Sequence, residues 1–211
     1  MQKKESSILQ LITSLTCIAV VATIALTCVY LATKEPIQKI KTEKDNAAKI
    51  KVLPGFDAVE GYFLQKKALP DGLKDSLTVT LAFMNDQLFG AAVSTHTNIA
   101  FSGRFDIMVG FDHEGNIFNT EVLGHQETPG LGDKIDKKKD KFPLQFEGRT
   151  PKEKPLKVKN DGGDIHAITA ATITSRAFCD AVNHAYNAYQ MVLQDVAQNQ
   201  NDTLIKEENN E

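Results

Sequence analysis

The chain contains no tryptophan and only three cysteines, and each scarcity removes a class of chemistry. Cys17 and Cys28 lie inside a long apolar run, which leaves Cys179 alone in the polar remainder, so no disulfide can close within a soluble domain. No Cys-x-x-Cys or Cys-x-x-Cys-His pattern occurs, and the usual thiolate frames for iron–sulfur clusters, zinc and c-type haem are absent with it. Charge of one sign is lacking too: 24 basic and 27 acidic residues are interspersed for a net charge of -3. No basic face of the kind that binds nucleic acid is visible.

One long hydrophobic run is present. Residues 8–31 hold no charge and only Gln10 and scattered Ser and Thr as polar members. At about 1.5 Å per residue such a run exceeds the roughly 30 Å hydrocarbon core of a bilayer. A transmembrane helix is expected over residues 8–32, after a short cytoplasmic tail of residues 1–7. It reads as an uncleaved anchor, because it is longer than a signal-peptide h-region and lacks a clear small-x-small cleavage site. Lys3 and Lys4 precede it, whereas Lys34, Lys39, Lys41, Lys44, Lys49 and Lys51 follow it. Counted alone, these charges keep the C-terminal side in the cytoplasm.

Residues 33–51, rich in Lys, Glu, Gln and Ala, read as a solvated helical stalk after Pro36, and one soluble domain is expected from residue 52 to 198, with Pro54-Gly55 as its first turn. Alternation of period two predicts strands over residues 78–83, 88–95, 105–111 and 117–123, with turns at Asn85-Asp86 and at residues 112–116. Short connections make these antiparallel neighbours in one twisted sheet. Residues 142–146 and 156–158 are apolar stretches compatible with edge strands among Pro143, Pro151 and Pro155. Residues 134–141 are strongly basic, with Asp133, Asp136 and Asp140 interleaved, and read as a solvated face. Ala177, Phe178, Ala181, Val182, Ala185, Ala188, Tyr189, Val192 and Leu193 form a helical stripe that packs on the sheet. Residues 199–211 are polar and acidic, and a disordered tail is expected there.

Two stretches carry the chemistry. Residues 161–178 read Asp-Gly-Gly-Asp-Ile-His-Ala-Ile-Thr-Ala-Ala-Thr-Ile-Thr-Ser-Arg-Ala-Phe, with the hydroxyls of Thr169, Thr172, Thr174 and Ser175 directly before the amphipathic helix. Helix-start N–H groups are unpaired and carry the positive end of the macrodipole, so this junction suits an anionic group such as a phosphate. The same spacing equally fits an N-cap, with Thr174 or Ser175 closing an ordinary first turn. Upstream, Glu127-Thr128-Pro129-Gly130-Leu131-Gly132 is a loop whose backbone can approach a ligand closely.

Together these stretches resemble a known family. Thr169-Ala170-Ala171-Thr172-Ile173-Thr174 is similar to the Ser/Thr-Gly-Ala-Thr-x-Thr signature of the FMN-binding domain found in the G-type subunit of the Rnf electron transport complex and in the C-type subunit of the Na+-translocating NADH:quinone reductase. Residues 127–132 resemble the Glu-Thr-Pro-Gly-Leu-Gly loop of the same domain. The modest length favours the Rnf type. The resemblance implies an α+β fold, a single N-terminal transmembrane helix followed by an FMN-binding domain whose antiparallel sheet is packed by helices. It implies FMN held covalently by a phosphoester at Thr172, with Thr169, Ala170, Ala171, Thr174, Glu127, Thr128, Gly130 and Leu131 around the cofactor. With no tryptophan, stacking on the flavin falls to Phe or Tyr.

The resemblance also implies a separate flavin transferase that uses FAD and releases AMP, and other subunits of a membrane complex as partners. Electrons would pass between ferredoxin and NAD while Na+ or H+ moves, with the domain exported from the cytoplasm; long C-terminal domains translocate despite their flanking charge. The alternatives are the quinone-reductase type, a stand-alone membrane flavoprotein, or a membrane-tethered sensor that holds a ligand without redox chemistry. Two positions depart from the pattern. Ala170 stands where the family has Gly, so the loop is expected to do without left-handed geometry there. His166 stands where the family has an acidic residue, with Asp164 as the nearest carboxylate upstream.

Overall fold

The computed structural model describes residues 8–53, 62–68, 76–84 and 87–208, and divides into two units, Met1–Asp45 and Asn46–Glu211. The expected tail of residues 1–7 and the turns at Pro54-Gly55 and Asn85-Asp86 lie outside the described residues.

Helix α1 spans Ile8–Val52 and continues through Pro36. In the first unit its apolar side chains, Leu9, Leu15 and Leu26 among them, face outward, and a window of mean hydropathy 2.3 is long and apolar enough to cross a membrane. The hydroxyls of Thr13, Thr16, Thr23, Thr27 and Thr33 each donate to the carbonyl four residues back at 2.8–3.0 Å. Satisfied within their own helix, they place no unmet demand on an apolar surrounding.

The second unit is built on one antiparallel sheet in the order β1-β2-β3-β4-β5, from β1 Tyr62–Ala68, β2 Ser76–Met84, β3 Gln87–Ala100, β4 Gly103–Asp112 and β5 Ile117–Gly124. Helix α2, Thr172–Glu208, covers one face. Period two in the strands meets period 3.6 in the helix: Val79, Leu81, Val93, Phe105, Ile107, Val109 and Phe111 turn to the same side as Phe178, Val182, Tyr189 and Val192. Phe178 is the hub, fully buried with its ring 4.8 Å from Phe146 and 5.4 Å from Phe142. Burial of a side chain of this size stabilises by about 1.5–3 kcal/mol.

The opposite face is covered by the last turn of α1. Ala48, Val52 and Leu53 pack on Ala82, Ala92 and Met108, and Lys51 pairs with Glu121. Two strand glycines allow that approach: a Cβ on Gly110 would lie 2.2 Å from the Val52 carbonyl oxygen, and one on Gly90 would lie 3.1 Å from Leu53.

Three expectations change. Residues 142–146 are a 3-10 helix, not an edge strand; Pro143 has no N–H to give a ladder, and the tighter turn sends both Phe142 and Phe146 inward. Residues 156–158 contribute a single parallel bridge, Val158 to Ile165, rather than a strand. Helix α2 does not stop at Gln198 but runs to Glu208, into the segment expected to be a disordered tail. Strand β1, whose Lys66-Lys67 pair breaks the alternation, had no strand signal of its own.

Candidate functional site

The two chemistry-bearing stretches, far apart in sequence, form one cavity of about 330 Å³. Glu127, Thr128, Leu131 and Gly132 line it from the first, Ala170, Ala171, Thr172, Ile173 and Thr174 from the second, and Phe101 from the β3–β4 turn. Gly130 lies outside this lining; its φ of 77° is a conformation that glycine adopts without steric cost.

Glu127 joins the parts. Its carboxyl group is buried, with 5% exposure, and accepts from the Ser102 N–H at 2.8 Å and from the Thr174 hydroxyl at 2.7 Å. Its own N–H donates to His125 Nδ1 at 3.1 Å. Gly132 is glycine because a Cβ there would sit 2.3 Å from Glu127 Oε2 and 3.0 Å from Thr174 Oγ1. The Glu-Thr-Pro-Gly-Leu-Gly loop is therefore shaped to set one carboxylate against the first turn of α2.

The four hydroxyls now separate. Thr174 and Ser175 are fully buried inside the helix, and neither is an N-cap: Thr174 donates to Glu127, and Ser175 Oγ donates to the Ala171 carbonyl at 2.9 Å while accepting from the Ile168 N–H. Thr174 thus has no proton left for a phosphate oxygen. Thr169 is exposed and lines a neighbouring cleft with Lys134, Lys141, Gln145 and His166. Thr172 alone combines a half-buried position on the cavity wall with a hydroxyl that has no partner among the described residues.

The turn before α2 overturns the expectation for Ala170. Its φ is 61°, the one positive value at a non-glycine residue among those described. The Ala171 N–H closes the turn onto the Ile168 carbonyl at 3.0 Å, and Ala170 takes the third position with the positive φ of the turn classes that usually place Gly or Asn there. Ala171 then accepts the first helical bond, from the Ser175 N–H at 3.0 Å. Alanine has no side-chain oxygen to cap with, and among the described residues the N–H groups of Thr172, Ile173 and Thr174, which line the cavity, have no partner.

Ion pairs brace this junction from outside. Arg176 grips Asp161 with two hydrogen bonds of 2.7 Å, and Lys139 donates to the buried Asp133 at 2.7 Å. Those bonds, from Arg176 and Lys139 respectively, hold both aspartates below the usual carboxylate range. The expected solvated face at residues 134–141 is thus partly structural, with Ile135 fully buried and Lys137 bound to Glu147 at 2.5 Å. Cys179 lies on the buried face of α2, where burial pushes its thiol up to about 12 and keeps it protonated and inert. Two residues escaped sequence reasoning. Phe101 gives no motif signal, and Ser102 acts through its backbone.

Apolar side chains together with the Thr172 hydroxyl and the start of α2 give this cavity a lining suited to a ligand with both an apolar and an anionic part. The comparisons agree on the class: residues 101–187 match the FMN-binding domain. The G-type subunit of the ion-translocating oxidoreductase complex of Aliivibrio fischeri (strain ATCC 700601 / ES114) is 34% identical over 202 residues, 91% of this chain and 93% of the relative. The same subunit from Vibrio parahaemolyticus is 37% identical over 119 residues, 55% of this chain and 56% of the relative. Its counterpart in Shewanella piezotolerans is 38% identical over 117 residues, 54% and 55% of the two chains. The chain belongs to the family of G-type subunits of ion-translocating oxidoreductase complexes.

Two outcomes follow from the turn and its braces. Ala170→Gly removes a left-handed cost of about 1–2 kcal/mol and loses about 0.5–1 kcal/mol to glycine's freedom in the unfolded chain. The variant should therefore unfold at higher urea, and a lower midpoint would contradict the strain. Because the folded-state values of Asp133 and Asp161 are lowered, the stability they contribute is complete above their ordinary value of 3.8 and is lost as pH falls through the lowered values. Asp133→Asn should cost stability at neutral pH and progressively less below pH 3.8. A stability difference that stays constant with pH would show that the Lys139 pairing contributes nothing.

Proposed function

We propose that this chain is the FMN-carrying G-type subunit of a membrane-bound, ion-translocating electron transport complex, and that Thr172 bears the FMN through a phosphoester. The observation that carries the proposal is the free hydroxyl of Thr172 at the uncapped start of α2, on the wall of the cavity that both motifs build. Coverage of 93% of the Aliivibrio fischeri relative supports the Rnf type over the quinone-reductase type.

The residues divide the work. The N–H groups at the start of α2 would hold the phosphoryl oxygens, whose charge the helix dipole would offset. Ala170 and Ala171 keep the approach to the Thr172 oxygen uncrowded. Thr174 acts as a positioning residue through Glu127, while Thr128 and Leu131 close the opposite wall. The bound FMN supplies one- and two-electron chemistry, and the protein supplies its position and electrostatic setting. Attachment falls to a separate flavin transferase, since no general base lies at the Thr172 hydroxyl among the described residues and the one carboxylate in the cavity lining, Glu127, already holds two hydrogen bonds. Helix α1 anchors the protein in the inner membrane, with the soluble domain on the extracytoplasmic side, where a covalent bond keeps the cofactor from being lost by dilution.

Thr172→Ala should abolish covalent flavin and leave the domain folded, because truncating a half-buried helix-start threonine that holds no hydrogen bond costs little. Intact mass and fluorescence of the denatured band read this directly. An FMN-sized increment retained in the variant would refute the attachment.

A further inference from the structure

We propose that Phe101 is the residue that covers the flavin ring: the tip of the β3–β4 hairpin is an aromatic wall built to lie against a flat heterocycle tethered at Thr172. The inference rests on the FMN reading above and adds a positioning residue that neither motif contains.

Phe101 is 67% exposed, although large aromatic side chains normally bury most of their surface. Among the described residues it is the one aromatic side chain lining the cavity. Ile173 and Leu131, 48% and 41% exposed, line the same cavity and complete an apolar rim. Among the described residues lysine and arginine are missing from the lining, and its one ionisable side chain, Glu127, is turned into hydrogen bonds with Ser102 and Thr174. This wall suits an uncharged ring, while the anionic end of the same ligand belongs at the helix start.

The tip is also fixed in place. Ala100 pairs with Gly103, whose φ of 91° closes the turn, and the Ser102 N–H donates to Glu127 Oε1 at 2.8 Å. The other oxygen of the same carboxylate holds Thr174, two residues beyond Thr172. Phe101 and Thr172 are thereby held on one latch, so the aromatic wall keeps a set position relative to the tether. An isolated hairpin tip would gain nothing from such a link; a ring sandwiched at the cavity mouth needs it.

Absence of tryptophan makes a clean test possible in the full-length flavinylated protein. An indole quenches an excited flavin by electron transfer only near contact, so Phe101→Trp should lower native flavin fluorescence several-fold. Phe118→Trp, at a 43% exposed position on β5 outside the cavity lining, should not. Phe101→Ala should raise quenching of the flavin by iodide toward that of free FMN, with the denatured band as bright as in the parent. Equal native brightness of the two tryptophan variants, together with unchanged iodide access in Phe101→Ala, would overturn the proposal. A parent protein whose denatured band carries no flavin would instead remove the attachment reading, and this inference with it.

Discussion

The site depends on one buried carboxylate. Glu127 receives one hydrogen bond from the turn between β3 and β4 and another from the first turn of α2, so three segments distant in sequence are held at one point. A buried polar group is tolerated only where its hydrogen-bonding capacity is met, and here two donors, the Ser102 N–H and the Thr174 hydroxyl, meet it. The same requirement explains Gly132, since any side chain there would collide with the carboxylate and with Thr174. The loop motif and the threonine motif are thus the two halves of one hydrogen-bonded joint, and the cavity is the space the joint holds open.

Around that joint the chain separates polar roles with little redundancy. Thr174 and Ser175 spend their protons on structure, Thr169 points to a different cleft, and Thr172 keeps an uncommitted hydroxyl. Alanine at the capping position leaves helix N–H groups available where a serine or aspartate would have satisfied one of them. Ala170 carries the cost of this arrangement as a left-handed residue, and the surrounding turn and core hold it there. On the far side of the sheet the end of α1 packs over Gly90 and Gly110, so the domain's second face is closed by the last residues of its own anchor helix.

Much of this was legible in the sequence, and the rest was hidden for physical reasons. The alternation of β2 to β5 and the apolar stripe of α2 each carry a period that a single chain displays, and the bounds expected for those four strands lie within about five residues of the observed ones. Residues 142–146 are compatible with an edge strand in the sequence and form a 3-10 helix in the fold, because a short apolar stretch has no period to distinguish the two. The extension of α2 to Glu208 has no signal in the sequence because a polar, acidic composition carries no stripe. Ala170 misled in the opposite direction: residue preference argued against positive φ, yet the turn imposed it. The position of Phe101 and the backbone role of Ser102 depend on a contact across 25 residues that no local pattern encodes.

The most direct test is fragmentation mass spectrometry on peptides of the protein isolated from its native host, locating the flavin phosphoryl group residue by residue. The arrangement described here predicts that the increment maps to Thr172 alone. An increment on Thr169 or Thr174, or an unmodified peptide from cells with an active attachment system, would contradict it.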